Sequence, residues 1–115
     1  MQSQELESAM RQLRAEYQRG LPEQVEEMAR VWRALVTKQW SAVEFRGFIR
    51  SAHQLAGSGA TYGMIEVSQA ARTLQSYAKK LDATVRPTPE QCANLEGLLA
   101  QLRKAVKVQS KNPSG

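Results

Sequence analysis

The stretch SAVEFRGFIRSAHQLAGSGATYG, residues 41–63, decides the fold of this chain. Ser41 followed by Glu44 is a capping box, in which two side chains satisfy the free backbone N–H groups at a helix start. Apolar residues then recur at spacings of three and four, which predicts an amphipathic helix carrying the only histidine of the chain, His53. Three glycines bring this helix to a turn: Gly57, Gly59 and Gly63.

Helical periodicity continues on both sides of this stretch, and no run of alternating β-branched residues indicates a strand. An apolar stripe begins at Leu6 and is expected to end at Gly20, and Pro22 then suits the first turn of a second helix. Further stripes lie in residues 64–81 and 92–106. We therefore predict an all-α fold, an antiparallel up-and-down four-helix bundle with an additional N-terminal helix.

The same pattern divides the chain into three parts. Residues 1–19 are predicted to form a helix that packs on or extends the bundle, residues 20–107 the bundle itself, and residues 108–115 a flexible tail. Residues 82–89, DATVRPTP, are the linker before the last helix. Thr88 and Gln91 are predicted to cap the start of that helix, as Ser41 and Glu44 cap the start of the helix that carries His53.

Composition limits the chemistry. With 115 residues and 42% hydrophobic residues, the chain has enough material for one modest core. The polar start and the lack of an apolar run of about 20 residues predict no signal peptide, no membrane segment and a cytoplasmic protein.

One cysteine and one histidine allow neither an internal disulfide nor a protein-only zinc site. Cys92 is expected to be a buried small residue. Asp82, the only aspartate, leaves little material for an aspartate-based pocket or triad.

Charge leaves two kinds of partner open. The formal net charge is +5, which favours acidic partners such as nucleic acid or an acidic protein face. No recognition-helix motif supports nucleic-acid binding, so we expect none, although a basic nucleic-acid-binding domain stays an alternative. Six basic residues are interpreted as solvated charge on two outer helix faces: Arg72, Lys79, Lys80, Arg103, Lys104 and Lys107.

One strip of the predicted helix surrounds the histidine. An advance of about 100° per residue aligns Arg46, Arg50, His53, Gly57 and Ala60. Glycine inside a helix costs about 1 kcal/mol relative to alanine. The presence of Gly57 would be explained by the close approach of another surface, or by a helix that ends or packs against its neighbour at this point. Spacing alone leaves both a reactive imidazole and an ordinary boundary histidine open.

The run AHQLAGSGATYGMIEVSQAARTLQ, residues 52–75, resembles the histidine-containing phosphotransfer (HPt) domain of bacterial multistep phosphorelays. That family's pattern is a histidine, any residue, leucine, often lysine, then glycine, with a second glycine about ten positions after the histidine and a leucine-containing helix beyond. The matching residues are His53, Leu55, Gly57, Gly63 and Leu74. The position that is often lysine is Ala56 in this chain.

The resemblance implies a role for each site residue. His53 would accept a phosphoryl group from a receiver-domain aspartate and pass it to another receiver. Gly57 would let the receiver approach, and Gly63 would form the turn between the central helices. Four more residues are assigned to receiver docking or phosphoryl stabilisation: Arg46, Arg50, Gln54 and Ala60. Since Ala56 removes the usual lysine, Arg50 or Arg46 is predicted to replace it in part.

The resemblance also implies the partners. They would be a response-regulator receiver domain and a hybrid sensor kinase, in trans or in the same larger chain. Magnesium would belong to the receiver, and this domain would bind no metal or other cofactor. A carrier rather than a kinase is expected, because no glycine-rich nucleotide loop or kinase signature is present. We expect a monomer, and an interaction-only helical bundle remains the main alternative.

Overall fold

A computed structural model describes residues 2–111. These residues form four helices and no strand, which confirms the all-α class: α1 (Gln2–Thr37), α2 (Ala42–Thr61), α3 (Ile65–Lys79) and α4 (Pro89–Lys111). Contacts join α1 to α2, α2 to α3, α3 to α4 and α4 back to α1. The helices therefore close into a four-helix bundle around one core.

Neighbouring helices run antiparallel. Between α1 and α4, the Gln18 side chain donates to the carbonyl of Gln109 at 2.7 Å, near the end of α4. Further along α1, the Trp32 indole donates to Glu96 at 3.0 Å, near the start of α4. Residue numbers thus rise on one helix as they fall on the other, as the up-and-down prediction requires.

The predicted helix end at Gly20 is wrong, because α1 continues through Gly20 and Pro22. Residues 2–19 extend the bundle as the first half of α1 and are not an additional helix. Glycine and proline inside a helix cost about 1 and 3 kcal/mol. Burial of Leu21 and Val25, at 0% and 2% exposure, offsets that cost, since each buried aliphatic side chain contributes about 1.5–3 kcal/mol.

The predicted flexible tail begins too early. The helix α4 extends to Lys111, so residues 108–111 are helical, whereas residues 112–115 lie outside the described part of the chain. Gln109 holds this last turn in place. Its carbonyl accepts from Gln18, and its side-chain oxygen accepts from the backbone N–H of Val67 at 3.2 Å.

The core contains the predicted stripes of α2, α3, α4 and the second half of α1, whereas Leu6, Met10 and Leu13 of the first predicted stripe are exposed. Both tryptophans and both phenylalanines cluster where α1 and α2 meet, with ring centroids 4.9–6.3 Å apart: Trp32, Trp40, Phe45 and Phe48. Twelve of the smaller buried side chains come from all four helices: Leu21, Val25, Met28, Leu35, Ala52, Leu55, Val67, Ala71, Leu74, Leu95, Leu102 and Val106.

Within the described residues, the capping pair of α4 forms in both directions, whereas in that of α2 only the hydrogen bond to the Ser41 hydroxyl is present. The Ser41 hydroxyl accepts from the N–H of Glu44 at 3.2 Å. At the start of α4, the Thr88 hydroxyl accepts from the N–H of Gln91 at 3.1 Å, and the Gln91 side chain accepts from the N–H of Thr88 at 2.9 Å. These caps fix where α2 and α4 begin.

Cys92 is half-buried rather than fully buried, with its thiol 3.7 Å from the carbonyl of Pro87. Desolvation, followed by the nearby charge of Glu96, raises the pKa of this thiol. A raised pKa lowers the thiolate fraction at neutral pH, which agrees with a structural role.

The α3–α4 connection also caps α1, and this contact predicts a measurable loss of stability. The Arg86 guanidinium donates to the carbonyl of Val36 at 2.9 Å, in the last turn of α1, where carbonyls lack intrahelical donors. Arg86→Ala is expected to lower the free energy of unfolding by about 1 kcal/mol in urea denaturation followed by circular dichroism. Arg33→Ala, an exposed control on the same helix, should change it by less than about 0.5 kcal/mol. Equal losses in the two variants would contradict this assignment.

Candidate functional site

His53 stands on the exposed side of α2, next to α3. Its neighbours Ala52, Leu55 and Ala56 are buried at 0%, 2% and 4% exposure, so core packing fixes the backbone that carries the imidazole. Nδ1 of the ring lies 2.9 Å from Nε2 of Gln75, on α3. The histidine is therefore positioned by two helices while its side chain remains exposed.

The contact with Gln75 leaves the other ring nitrogen available. Within residues 2–111, no hydrogen-bond partner is found for Nε2 of His53. Gln75 itself is half-buried, which restricts its side chain more than that of a fully exposed residue. A ring held through Nδ1 with Nε2 facing solvent can act as a nucleophile or a proton acceptor toward a second molecule.

Gln75 was missed by the sequence analysis. Helical spacing shows which residues share a face of one helix, but it does not show which residue of α3 stands opposite His53. That pairing depends on how far α3 is shifted along α2. Ser68, one buried polar residue of α3, reveals the shift, because its hydroxyl donates to the carbonyl of Ala56 at 2.6 Å.

Two glycines of α2 serve different purposes. A Cβ at Gly59 would lie 3.2 Å from the backbone N of Ser68 and 3.3 Å from the carbonyl oxygen of Met64. Gly59 therefore lets α3 pack closely on α2. A Cβ at Gly57 would meet nothing within 4 Å, so no packing within the described chain requires glycine there, and the exposed backbone beside His53 is open to another molecule.

The turn after α2 closes the site at one end. Gly63 has a φ of +75°, a left-handed conformation that glycine adopts without a Cβ penalty. The N–H of Gly63 donates to the carbonyl of Ala60 at 3.2 Å, and the N–H of Met64 donates to that of Gly59 at 2.7 Å. Ala60 itself is exposed one turn beyond Gly57.

The predicted polar neighbours of His53 divide between two sides. Arg50 and Gln54 line an open groove between α1 and α2. Arg46 lies on the other side, near Asp82. The hydrogen bonds from the Thr84 hydroxyl and N–H are the main cause that lowers the pKa of Asp82, and the charge of Arg46 adds to them. Of the two predicted arginines, Arg46 thus lies toward the α3–α4 connection, and Arg50 lies on the other side of His53.

Ala56 contributes no functional group to this surface. Its side chain is 4% exposed, and its carbonyl accepts from the Ser68 hydroxyl. Any cation that assists chemistry at His53 must therefore come from another position. On α3, Arg72 and Lys79 are one turn before and one turn after Gln75, which helical spacing places on the same face.

Neither a metal-binding cluster nor a membrane-spanning helix accompanies this site within the described residues. Residues 2–111 hold no group of three or more histidine, cysteine, aspartate or glutamate side chains that could bind a metal ion. In the same range, no helix is both long and apolar enough to cross a membrane. The candidate site therefore consists of the imidazole, its glutamine partner, the open backbone at Gly57 and the surrounding cations.

Comparison with protein families gives a match over most of the chain. A family model described as Hpt domain matches residues 12–105. No curated protein matches this chain. No solved structure matches it either.

The contrast between the two glycines predicts opposite effects on stability. Gly57→Ala is expected to raise the free energy of unfolding by up to about 1 kcal/mol, because alanine favours helix and has room. Gly59→Ala should lower it by about 1 kcal/mol, since overpacking costs about 1–3 kcal/mol. Urea denaturation of the two variants measures both values. A stabilised Gly59→Ala, or a Gly57→Ala that unfolds more easily than the parent, would contradict the assigned packing.

Proposed function

Because the chain belongs to the Hpt domain family, whose members carry phosphoryl groups in phosphorelays and are not kinases, we propose that His53 is the phosphoacceptor of this chain. It takes a phosphoryl group from the aspartyl phosphate of a receiver domain and passes it to another receiver. The observation that carries this proposal is the exposed imidazole whose Nδ1 contacts Gln75 while Nε2 is free.

The contact with Gln75 supports attack by Nε2. In the neutral ring, a lone pair on Nε2 requires the proton to be on Nδ1. Rotation of the Gln75 amide by half a turn would place its oxygen where the nitrogen lies, so that Nδ1–H donates to Oε1. Gln75 can thus hold the reactive tautomer and stabilise the positive charge that develops on the ring during attack.

The transfer balances without a further reactant. The lone pair of Nε2 forms the N–P bond, the bond between phosphorus and the aspartyl oxygen breaks, and the leaving group is the receiver's carboxylate. The Nδ1 proton stays on the ring. Because phosphoryl transfer depends mainly on positioning and electrostatic stabilisation, the rigid placement of His53 between two helices is the main contribution of this chain.

Gly57 and Arg50 complete the proposed docking surface. The open space at Gly57 lets the receiver's phosphoaspartate approach the ring, and a longer side chain at this position would stand in the way. Arg50 supplies a cation one turn before His53, which would stabilise charge on the transferred group. Gln54 and Ala60 are exposed on α2, one residue and two turns after His53, and contribute contact area to the receiver. Arg46 has a smaller share because it lies near Asp82.

The partners follow from the same proposal. A response-regulator receiver domain docks on α2 and α3, and a hybrid sensor kinase, in trans or in a longer chain, supplies phosphate upstream. Magnesium is held by the receiver's carboxylates, and this domain adds no cofactor. The setting we propose is the cytoplasm of a bacterium, where His53 makes the chain a phosphoprotein.

The first test is phosphoryl transfer to His53. Incubation with several phosphorylated receiver domains and magnesium should place acid-labile, base-stable phosphate on the parent and none on His53→Gln. Gln75→Ala should retain the label but acquire it more slowly, by about tenfold if the lost contact is worth about 1.4 kcal/mol. Gln101→Ala, an exposed glutamine on α4, is the matched control and should transfer at the parent rate.

Two results would overturn the proposal. Label on His53→Gln would place the phosphoacceptor elsewhere. No label on a folded parent with any receiver would favour an interaction-only bundle, the alternative that Ala56 leaves open. A Gln75→Ala variant as fast as Gln101→Ala would remove Gln75 from the mechanism while leaving His53 in it.

The second test concerns the two arginines. Arg50→Ala is expected to slow transfer by up to about tenfold, and Arg46→Ala by less, because the charge of Arg46 acts on Asp82 of the α3–α4 connection. Arg33→Ala, far along α1, controls for the loss of one positive charge. Unchanged rates in both variants would show that neither arginine substitutes for the lysine often present in the family.

A further inference from the structure

The first part of α1 projects beyond the other three helices. Tyr17 marks the point where α1 meets the end of α2, since its hydroxyl lies 2.7 Å from that of Ser58 and its ring stacks on Tyr62 with centroids 4.5 Å apart. Every residue from 2 to 13 is exposed. At 1.5 Å per residue, a helix of 36 residues is about 54 Å long, which agrees with the 56 Å length of the molecule.

This projecting segment carries an apolar stripe that nothing in the described chain covers. Leu6, Met10 and Leu13 are 64%, 43% and 47% exposed. Their spacings of four and three, continued by four to Tyr17, make a heptad seam with Met10 at position a and Leu6 and Leu13 at position d. The stripe ends at the half-buried Tyr17, where the bundle begins.

We propose that this segment pairs with the same segment of a second copy of the chain, as a short antiparallel coiled coil. The seams of the two copies face each other, with Met10 of one copy opposite Leu13 of the other. Leu6 of each copy then reaches the exposed edge of the other copy's Tyr17. The pairing buries the three exposed side chains of each copy.

Charge selects the second copy and the antiparallel direction. Position e, beside the seam, is Glu7 in the first heptad and Arg14 in the second. In an antiparallel pair, position e of one helix faces position e of the other, so each Glu7 meets an Arg14 and two opposite-charge pairs form. In a parallel pair, position e faces position g, which places Glu7 near Gln2 and Arg14 near Ala9. Only the antiparallel arrangement is complementary.

No other binding partner of the apolar stripe is supported by such complementary charges. The rest of the described chain after Tyr17 belongs to the bundle or its connections. A receiver on His53 would dock on α2 and α3, whereas the projecting segment lies beyond the end of α2, which α1 meets at Tyr17. The family match begins at residue 12, so Leu6 and Met10 lie outside it. A monomer was expected from the sequence without reference to this segment. The proposed dimer replaces that expectation.

The dimer is weak because the paired segment is short. Two heptads fall below the three to four that sustain a stable coiled coil, and interfaces below about 1,200 Å² are typical of transient complexes. We expect a dissociation constant on the order of 10–100 μM, which corresponds to about 5–7 kcal/mol. Glu7 is exposed and Arg14 is only half-buried, so added salt should weaken the Glu7–Arg14 pairs and with them the dimer.

The test is sedimentation velocity on the whole chain over a wide concentration range. The parent should shift from monomer to dimer as concentration rises, whereas Glu7→Arg and Arg14→Glu should each raise the dissociation constant about tenfold or more. Mixing these two variants should restore dimers, because one segment is then positive and the other negative at both e positions. The double variant Glu7→Arg/Arg14→Glu should dimerise like the parent. Arg33→Glu, distant on α1, should have no effect.

Direction is tested by a single cysteine. In a Cys92→Ala background, Leu6→Cys should not form a disulfide between copies, because antiparallel pairing separates these positions by about 16 Å along the axis. Efficient disulfide formation would overturn the antiparallel arrangement. A parent that stays monomeric at all concentrations would overturn the dimer and leave the stripe for a different protein. A dimer unaffected by Glu7→Arg would place the interface elsewhere.

Discussion

The close packing of α2 on α3 at Gly59 is the contact on which the rest of the site depends. Ser68 and Met64 approach the α2 backbone so closely that even one Cβ at Gly59 would press against their backbone atoms. The Ser68 hydroxyl then bonds to the carbonyl of Ala56, which fixes how far α3 is shifted along α2. This shift brings Gln75 against His53. Chemistry at the imidazole therefore rests on a packing contact beyond the ring itself.

The sequence was sufficient where local physical rules decide the structure. Ser41 with Glu44 and Thr88 with Gln91 predicted two helix starts, because capping depends only on neighbours along the chain. The apolar stripes after residue 20 predicted the core for the same reason, whereas the first stripe, at Leu6, Met10 and Leu13, lies outside it. The family resemblance singled out His53 and Gly57 because both lie within one short motif.

The sequence misled where tertiary contacts outweigh local preference. Gly20 and Pro22 indicated a helix end, but burial of Leu21 and Val25 against the bundle carries α1 through both. Gln75 could not be found by spacing, because its role depends on the shift between two helices. The near approach of Arg46 to Asp82 likewise depends on the α3–α4 connection, which lies 36 residues further along the sequence. Each failure involves residues brought together only by the fold.

The end of α2 near Tyr17 separates the proposed activities of the chain. The proposed transfer surface lies on the exposed faces of α2 and α3, while the apolar stripe of α1 lies beyond the end of α2, past Tyr17. A dimer formed through the projecting helices leaves both His53 side chains exposed. Pairing and transfer can therefore occur in the same molecule, and either can be lost without the other.

The central claim is that Gln75 holds His53 through Nδ1 and leaves Nε2 to accept the phosphoryl group. Because the chain has one histidine, long-range proton–nitrogen NMR of the ¹⁵N-labelled protein gives a single imidazole pattern, recorded before and after incubation with a phosphorylated receiver. We predict a phosphorus coupling on Nε2, with Nδ1 keeping its proton. A coupling on Nδ1, or an imidazole pattern unchanged by every receiver, would contradict the account.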